Sequence, residues 1–327
     1  MRRVRGSIRL MMLAVALAGL SAAGVGCGRG EAADDRLQIV ASIQPLADLA
    51  RQVAGDDGRA RVSVIVPPGV TPHGFEMSTE RTRRLARADV VLVVGLGLDR
   101  WAERAAERIA GDARVLSMAQ MLGRDDADHH HHHHHHDHDH DHDHGDHDHS
   151  GPNPHLWLDP VLARQWVLAL GEELAQMSPE HAGHFRDNAA AVADSLDALH
   201  AEHEQALAQV PRRQLVSFHN AFDLLAERYG LEVVAHLTPV ELSPGGEVVP
   251  ARLRAAIAAV RHYELEVIYA EPQFPDAAVR ALRSETGVRV LRLDPLGNPD
   301  REGYETYQAM MRSNLATLVE GQGRIQN

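Results

Sequence analysis

Short, wholly apolar runs alternate along this chain with longer amphipathic stretches. Residues 37–43 open the pattern as a strand, and a helix follows with Pro45 in its first turn, where a missing N–H costs nothing. Residues 61–66 form a second strand, broken by Pro67-Pro68-Gly69. Ser78 is placed to cap a helix running to Ala88. Residues 90–94, apolar throughout, form a third strand ended by Gly95 and Gly97. A helix over about 99–110 and a short strand at Arg114–Ser117 complete this half. Apolar strands alternating with helices predict a parallel sheet covered on both faces.

From Pro160 to about Gln209 the pattern is helical, interrupted at Ser178-Pro179. Ser178 is expected to cap a second helix over about 179–209, roughly 45 Å long at ~1.5 Å per residue. Strands are predicted again at 214–218, 231–235, 266–270 and 288–293. Helices are predicted at about 220–229, 250–262, 275–286 and 302–320. The fold class is α/β: two βα-type lobes with parallel-rich sheets joined by a long rigid helix. Ligands then belong in the crevice between the lobes, outside the carboxyl ends of the strands. The expected organisation is an export signal at 1–26, a linker at 27–35, a first lobe at 36–159, linking helices at 160–210 and a second lobe at 211–327.

Composition changes this picture in three places. The first 26 residues carry four Arg and no acid, then an apolar run from Leu10 to Leu20 and a series of small residues. This pattern is an export signal, and the run is short for a bilayer span of ~20 residues. Cys27, the single cysteine, follows Val25-Gly26 and resembles a lipobox, with Gly24 where Leu is commonest. Lipidation at Cys27 would hold the exported chain on the membrane in the periplasmic space, and an intrachain disulfide is impossible. The net charge of −13 and the absence of a basic face exclude a nucleic-acid binder.

The third place is residues 124–153, expected to be a disordered surface loop that cannot build a core. It holds 14 of the 23 histidines: His129, His130, His131, His132, His133, His134, His135, His136, His138, His140, His142, His144, His147 and His149, interleaved with Asp. Such imidazole clusters bind divalent metals weakly and exchangeably. Capture of zinc for the crevice, or sensing and buffering of it, is the expected role.

Among the other nine histidines, His219 stands directly after a predicted strand, as does Asp294 in the same lobe. His73 lies in the Pro/Gly-rich loop after the second strand, and His155 lies where the chain leaves the Asp/His tract. Three imidazoles and one carboxylate make a tetrahedral zinc set, and imidazole suits zinc better than manganese or calcium. Spacing alone does not bring these four together. Glu76, near His73, is a rival carboxylate. The pairs His181/His184 and His200/His203 are expected to be solvated helix-surface residues.

A resemblance makes the connection. Residues 66–75 (VPPGVTPHGF), 153–159 (NPHLWLD), 218–222 (FHNAF), 270–274 (AEPQF) and 293–297 (LDPLG) are similar, in order, to motifs of the solute-binding proteins of zinc and manganese ABC transporters. The resemblance implies His73, His155, His219 and Asp294 as ligands, with zinc favoured because the third ligand is His219. Asp294 is the position at which the family varies, between a carboxylate and water. Glu271 is assigned a supporting role behind the ligands. It also implies a monomeric receptor that hands Zn²⁺ to a membrane permease; a zinc chaperone is a further candidate partner. A zinc-dependent hydrolase would need an open coordination position and a general base, a part for which Glu271 is available, but no H-E-x-x-H is present. A surface adhesin and a loop-based zinc buffer are two further functions compatible with a metal-binding exported chain.

Overall fold

The structure is a computed structural model describing residues 36–124, 152–238 and 249–323. The predicted export signal, Cys27, the linker and every histidine of the Asp/His tract lie outside the described residues.

The first lobe contains β1 (Leu37–Ala41), β2 (Ala60–Val64), β3 (Val90–Val93) and β4 (Arg114–Ser117), all paired in parallel in the order β2-β1-β3-β4. Parallel neighbours require crossovers. These run through α1 (Gln44–Ala54), α2 (Thr79–Leu85) and α3 (Arg100–Ile109), and α4 (Met118–Met121) follows the last strand. β3 is buried at every position, as an apolar strand inside a doubly covered sheet should be. Ser78 caps α2 by accepting from Arg81 N. At the carboxyl ends of β1 and β3, buried Asp99 accepts from Ser42 Oγ at 2.6 Å, Val94 N at 2.7 Å and Gly95 N at 3.0 Å. Burial raises the Asp99 pKa, and these three donors oppose the rise.

Two helices, α5 (Pro160–Met177) and α6 (Ala182–Ala208), lead to the second lobe. With 27 residues, α6 is about 40 Å long. Its start departs from expectation: the Ser178 hydroxyl donates to Glu180 instead of capping, and residues 179–181 make a 3₁₀ turn before α6 begins. Gly171 lets α5 approach α6 closely, since a Cβ there would stand 2.4 Å from Ala189 Cβ.

In the second lobe β5 (Gln214–Ser217) pairs in parallel with β6 (Glu232–His236), and β7 (Val267–Ala270) with β8 (Arg289–Arg292). β5 runs beside β7 without a ladder, so the expected sheet resolves into two pairs among the described residues. The helices are α7 (Asp223–Arg228), α8 (Pro250–His262), α9 (Ala277–Thr286) and α10 (Tyr307–Gln322). α10 starts five residues later than predicted because Thr306 caps it, accepting from Ala309 N, after a turn with Gly303 at φ 78°. The largest core runs through both lobes, from Ile39 and Leu46 through Trp157, Trp166 and Leu199 to Leu215, Tyr269 and Leu318.

Candidate metal centre

The candidate ligands sit on the connections between elements. The loop after β2 turns at Gly69 and Gly74, both at positive φ (76° and 65°), and carries His73 between them. His219 follows the end of β5 directly, one residue past Phe218. His155 stands ahead of a 3₁₀ turn at Leu156–Leu158 that leads into α5.

The structure brings His73, His155 and His219 together, with one nitrogen from each within 4.8 Å of the others. The ring centroids are 4.9–5.6 Å apart. His155 and His219 are each 2% exposed. Asn153 Oδ1 accepts from both His155 N (3.0 Å) and His155 Nδ1 (2.8 Å). Glu271 Oε1 accepts from His219 Nδ1 at 2.5 Å. These partners hold the protons on Nδ1 and leave both Nε2 lone pairs facing the cavity, only 3.2 Å apart. His73 Nε2 is buried with no hydrogen-bond partner among the described residues.

Two bare imidazole nitrogens at that distance repel unless a cation lies between them. Ligands about 2.0–2.1 Å from one tetrahedral ion stand roughly 3.3–3.4 Å apart, so the spacing fits zinc-sized coordination. The cavity they enclose is about 10 Å³, walled by Trp157, Phe274 and Leu296, room for a single ion. Burial, and secondarily the field of His219, lowers the His73 pKa to about 3. Burial also takes His155 well below its ordinary value. Both rings are therefore neutral, the form that binds metal.

Asp294 does not join this group. Its Oδ1 accepts from Gln273 Nε2 (2.7 Å), Leu296 N and Gly297 N (both 3.1 Å), and its Oδ2 faces Arg301 at 3.5 Å. The carboxylate is spent on its own turn and on Gln273, while the next residues, Pro295 and Leu296, line the cavity. Glu76 is exposed and outside the group. Glu271, 3% exposed, stands behind His219, and its Oε2 has no partner among the described residues. The helix-surface histidines were expected to be solvated, and three are packed instead: His203 is fully buried and bonded to Leu199 O, His184 Nε2 lies 3.0 Å from Ala54 O, and half-buried His200 Nδ1 lies 3.0 Å from the Tyr229 hydroxyl.

Several supporting residues carry no candidate role in the sequence reading. Asn153 could have been found from its place two before His155, the Asx-turn spacing. Asn153 Nδ2 also donates across to Asn220 O (2.8 Å), and Trp157 Nε1 donates to Pro295 O (2.7 Å). Asp159 takes a bidentate contact from Arg228 Nε and Nη2, the shortest arm 2.6 Å. These bonds tie the His155 segment to the second lobe, and no local pattern announces them.

Two α/β lobes bridged by a long helix, with three imidazoles meeting between them, have the architecture of a two-lobe solute-binding protein. The profile of the family described as ZnuA, zinc-uptake complex component A, periplasmic, matches residues 39–321, and the chain belongs to that family. The high-affinity zinc uptake system protein ZnuA of Paracoccus denitrificans is 31% identical over 301 residues, 86% of this chain and 91% of that protein. The zinc-binding lipoprotein AdcA of Streptococcus pneumoniae serotype 4 is 30% identical over 309 residues, 90% of this chain. This chain spans only 58% of the length of that relative. A crystal structure of ZnuA superposes with a TM-score of 0.73 over 88% of this chain and all of that one, at 22% identity. Among the described residues no helix is long and apolar enough to cross a membrane.

Proposed function

We propose that this chain is an extracytoplasmic zinc receptor that delivers Zn²⁺ to the permease of an ABC importer. The observation that carries the proposal is the meeting of three imidazoles, two of them buried with Nε2 atoms 3.2 Å apart. His73, His155 and His219 bind the ion through nitrogen, and water completes the tetrahedron while Asp294 holds its turn. An all-imidazole protein set favours zinc over manganese, which prefers more oxygen. Both relatives described above are named for zinc, and one is named a lipoprotein. Their names support the choice of metal and an anchor at Cys27.

The protein performs no reaction on this reading. The cavity of about 10 Å³ has room for a single ion. Glu271, the available general base, is already bonded to the ring of His219. The lobes are taken as 36–159 and 211–327, acting in one monomer. The Asp/His tract of 125–149 captures zinc weakly and passes it inward, or receives it from a chaperone.

Competition titration at neutral pH tests the proposal on the wild type, a 125–149 deletion and His219→Ala, with Zn²⁺ and Mn²⁺. The deletion is expected to keep one tight zinc site and His219→Ala to lose it, with Mn²⁺ far weaker. Tight binding that vanishes with the tract but survives His219→Ala would make the protein a loop-based zinc buffer. Asp294→Asn is expected to change affinity by less than about tenfold, whereas loss of a true ligand costs more than the 10–100-fold typical of outer partners.

A further inference from the structure

A second concavity lies on the first lobe and shares no lining residue with the metal cavity. Its volume is about 550 Å³. The floor comes from β1 and β2, with Gln38, Arg61 and Ser63, and one wall comes from α2, with Arg83, Arg84 and Arg87. Residues 80, 83, 84 and 87 recur at helical spacing, which puts their side chains on one side of α2 and its C-terminal continuation.

The charge of this concavity is unbalanced. Four guanidinium groups face a single carboxylate, Glu80, which pairs with Arg84 at 3.1 Å. Arg84 also donates to Val64 O, and neighbouring Arg81 to Ile65 O, so these two arginines cover free carbonyls near the sheet edge formed by β2. Arg61, Arg83 and Arg87 have no ion pair or hydrogen bond among the described residues. The chain holds 46 acidic and 33 basic residues, so carboxylates are in surplus, and three unpaired guanidinium groups around one hollow stand against that surplus. Their mutual repulsion would be relieved by an anion that offers several acceptor oxygens. The planar guanidinium fork matches phosphate, two N–H donors to two oxygens. The volume exceeds what a bare oxoanion fills and lies within the ~300–1,000 Å³ of small-molecule sites. Val62, half-buried, adds apolar surface for an organic part.

We propose that this concavity binds an organic phosphate, its phosphoryl oxygens held by Arg61, Arg83 and Arg87 and its carbon portion resting on Val62. The chemistry is that of a glycerol phosphate, whether free or as the headgroup of an anionic phospholipid. The site is independent of the zinc reading, so metal-free protein serves for the test.

The experiment is calorimetric titration of the full metal-free chain with glycerol 1-phosphate and with inorganic phosphate at matched ionic strength. In parallel, co-sedimentation is measured with phosphatidylglycerol/phosphatidylcholine vesicles and with phosphatidylcholine vesicles alone. The variants are Arg83→Gln/Arg87→Gln on the helix side and Arg61→Gln on the strand side. All three side chains are exposed, and an unchanged circular dichroism spectrum and zinc titration certify the fold. The wild type is expected to saturate at one equivalent of glycerol phosphate, more tightly than with inorganic phosphate. The double variant is expected to weaken this by at least about tenfold, the loss of charge-assisted hydrogen bonds. Saturation by soluble ester identifies a free metabolite; binding to anionic vesicles alone identifies a lipid headgroup. Because the four Arg and the apolar run of residues 1–26 also favour anionic vesicles, adhesion is assigned to the hollow only where Arg83→Gln/Arg87→Gln abolishes it. If neither soluble ester nor anionic vesicle binds, or if the folded variants bind as the wild type does, the proposal is overturned.

Discussion

At the scale of single residues, the centre is governed by where protons sit. Glu271 and Asn153 each accept a hydrogen bond from an Nδ1 and thereby turn an Nε2 lone pair toward the cavity. A carboxylate behind a metal-bound imidazole both orients it and raises its basicity. Glu271→Gln keeps the shape and removes the charge, and zinc affinity measured by chelator competition is expected to fall ~10–100-fold. An unchanged affinity would mean that the carboxylate merely fills space. The buried rings also set a pH dependence. In the unfolded chain His73 and His155 protonate near 6.5. Folded, His73 resists until about pH 3 and His155 is lowered in the same direction, chiefly by burial. The unfolded state therefore binds protons first on acidification. The stability these rings support is complete above pH 6.5 and is lost progressively as pH falls towards 3. The urea midpoint of metal-free protein is expected to drop between pH 7.5 and 5, and less so in His73→Gln; equal slopes in the two proteins would contradict this.

At the scale of elements, the close approach of α5 and α6 rests on Gly171. An alanine there would press its Cβ to 2.4 Å from Ala189 Cβ and 3.2 Å from Phe185 O. Neither neighbour swings aside without moving a helix. Overpacking of this kind costs ~1–3 kcal/mol, which outweighs the ~1 kcal/mol that alanine gains over glycine in a helix. Gly183, in the first turn of α6, meets nothing within 4 Å. Calorimetry is expected to show Gly171→Ala melting lower than wild type and Gly183→Ala no lower. Apolar runs and Pro/Gly breaks made the strands legible in the sequence, and strand ends in turn put His219 and Asp294 at plausible positions. The convergence of the three histidines was legible only through resemblance, because their spacing is long. Ser178 misled because its hydroxyl had a nearer partner in Glu180. Asp294 stands apart from the three histidines because the same Asp-Pro-Leu-Gly that resembles a ligand motif also closes a turn on its own backbone. His203 misled because an alternating polar helix does not announce that Tyr229 covers one of its faces.

At the scale of the whole molecule, the two lobes share a core and are laced together around the centre. Tyr307 of α10 donates its hydroxyl to Trp157 O at 2.6 Å and its backbone N–H to Asp48 at 2.8 Å, and Gln308 bonds Gln52 of α1. With the Asp159–Arg228 pair and the Trp157–Pro295 bond, these contacts oppose wide opening. Small-angle scattering is expected to give radii of gyration within about 1 Å for zinc-free and zinc-loaded protein, the behaviour of a preorganised site. A larger contraction would mean that the lacing yields. Such a frame constrains how the cargo departs. Asn153 braces His155 and Glu271 braces His219, but His73 Nε2 has no hydrogen-bond partner among the described residues, and its loop turns at Gly69 and Gly74. On the proposed ligand set, the bond to His73 is the one without a hydrogen-bonded brace behind it, and it is expected to be the first to break, with the ion leaving past that loop. Speed of unloading and strength of capture then reside in different parts of the chain. A docking partner that tugs residues 66–75 could trigger release without disturbing either braced ring.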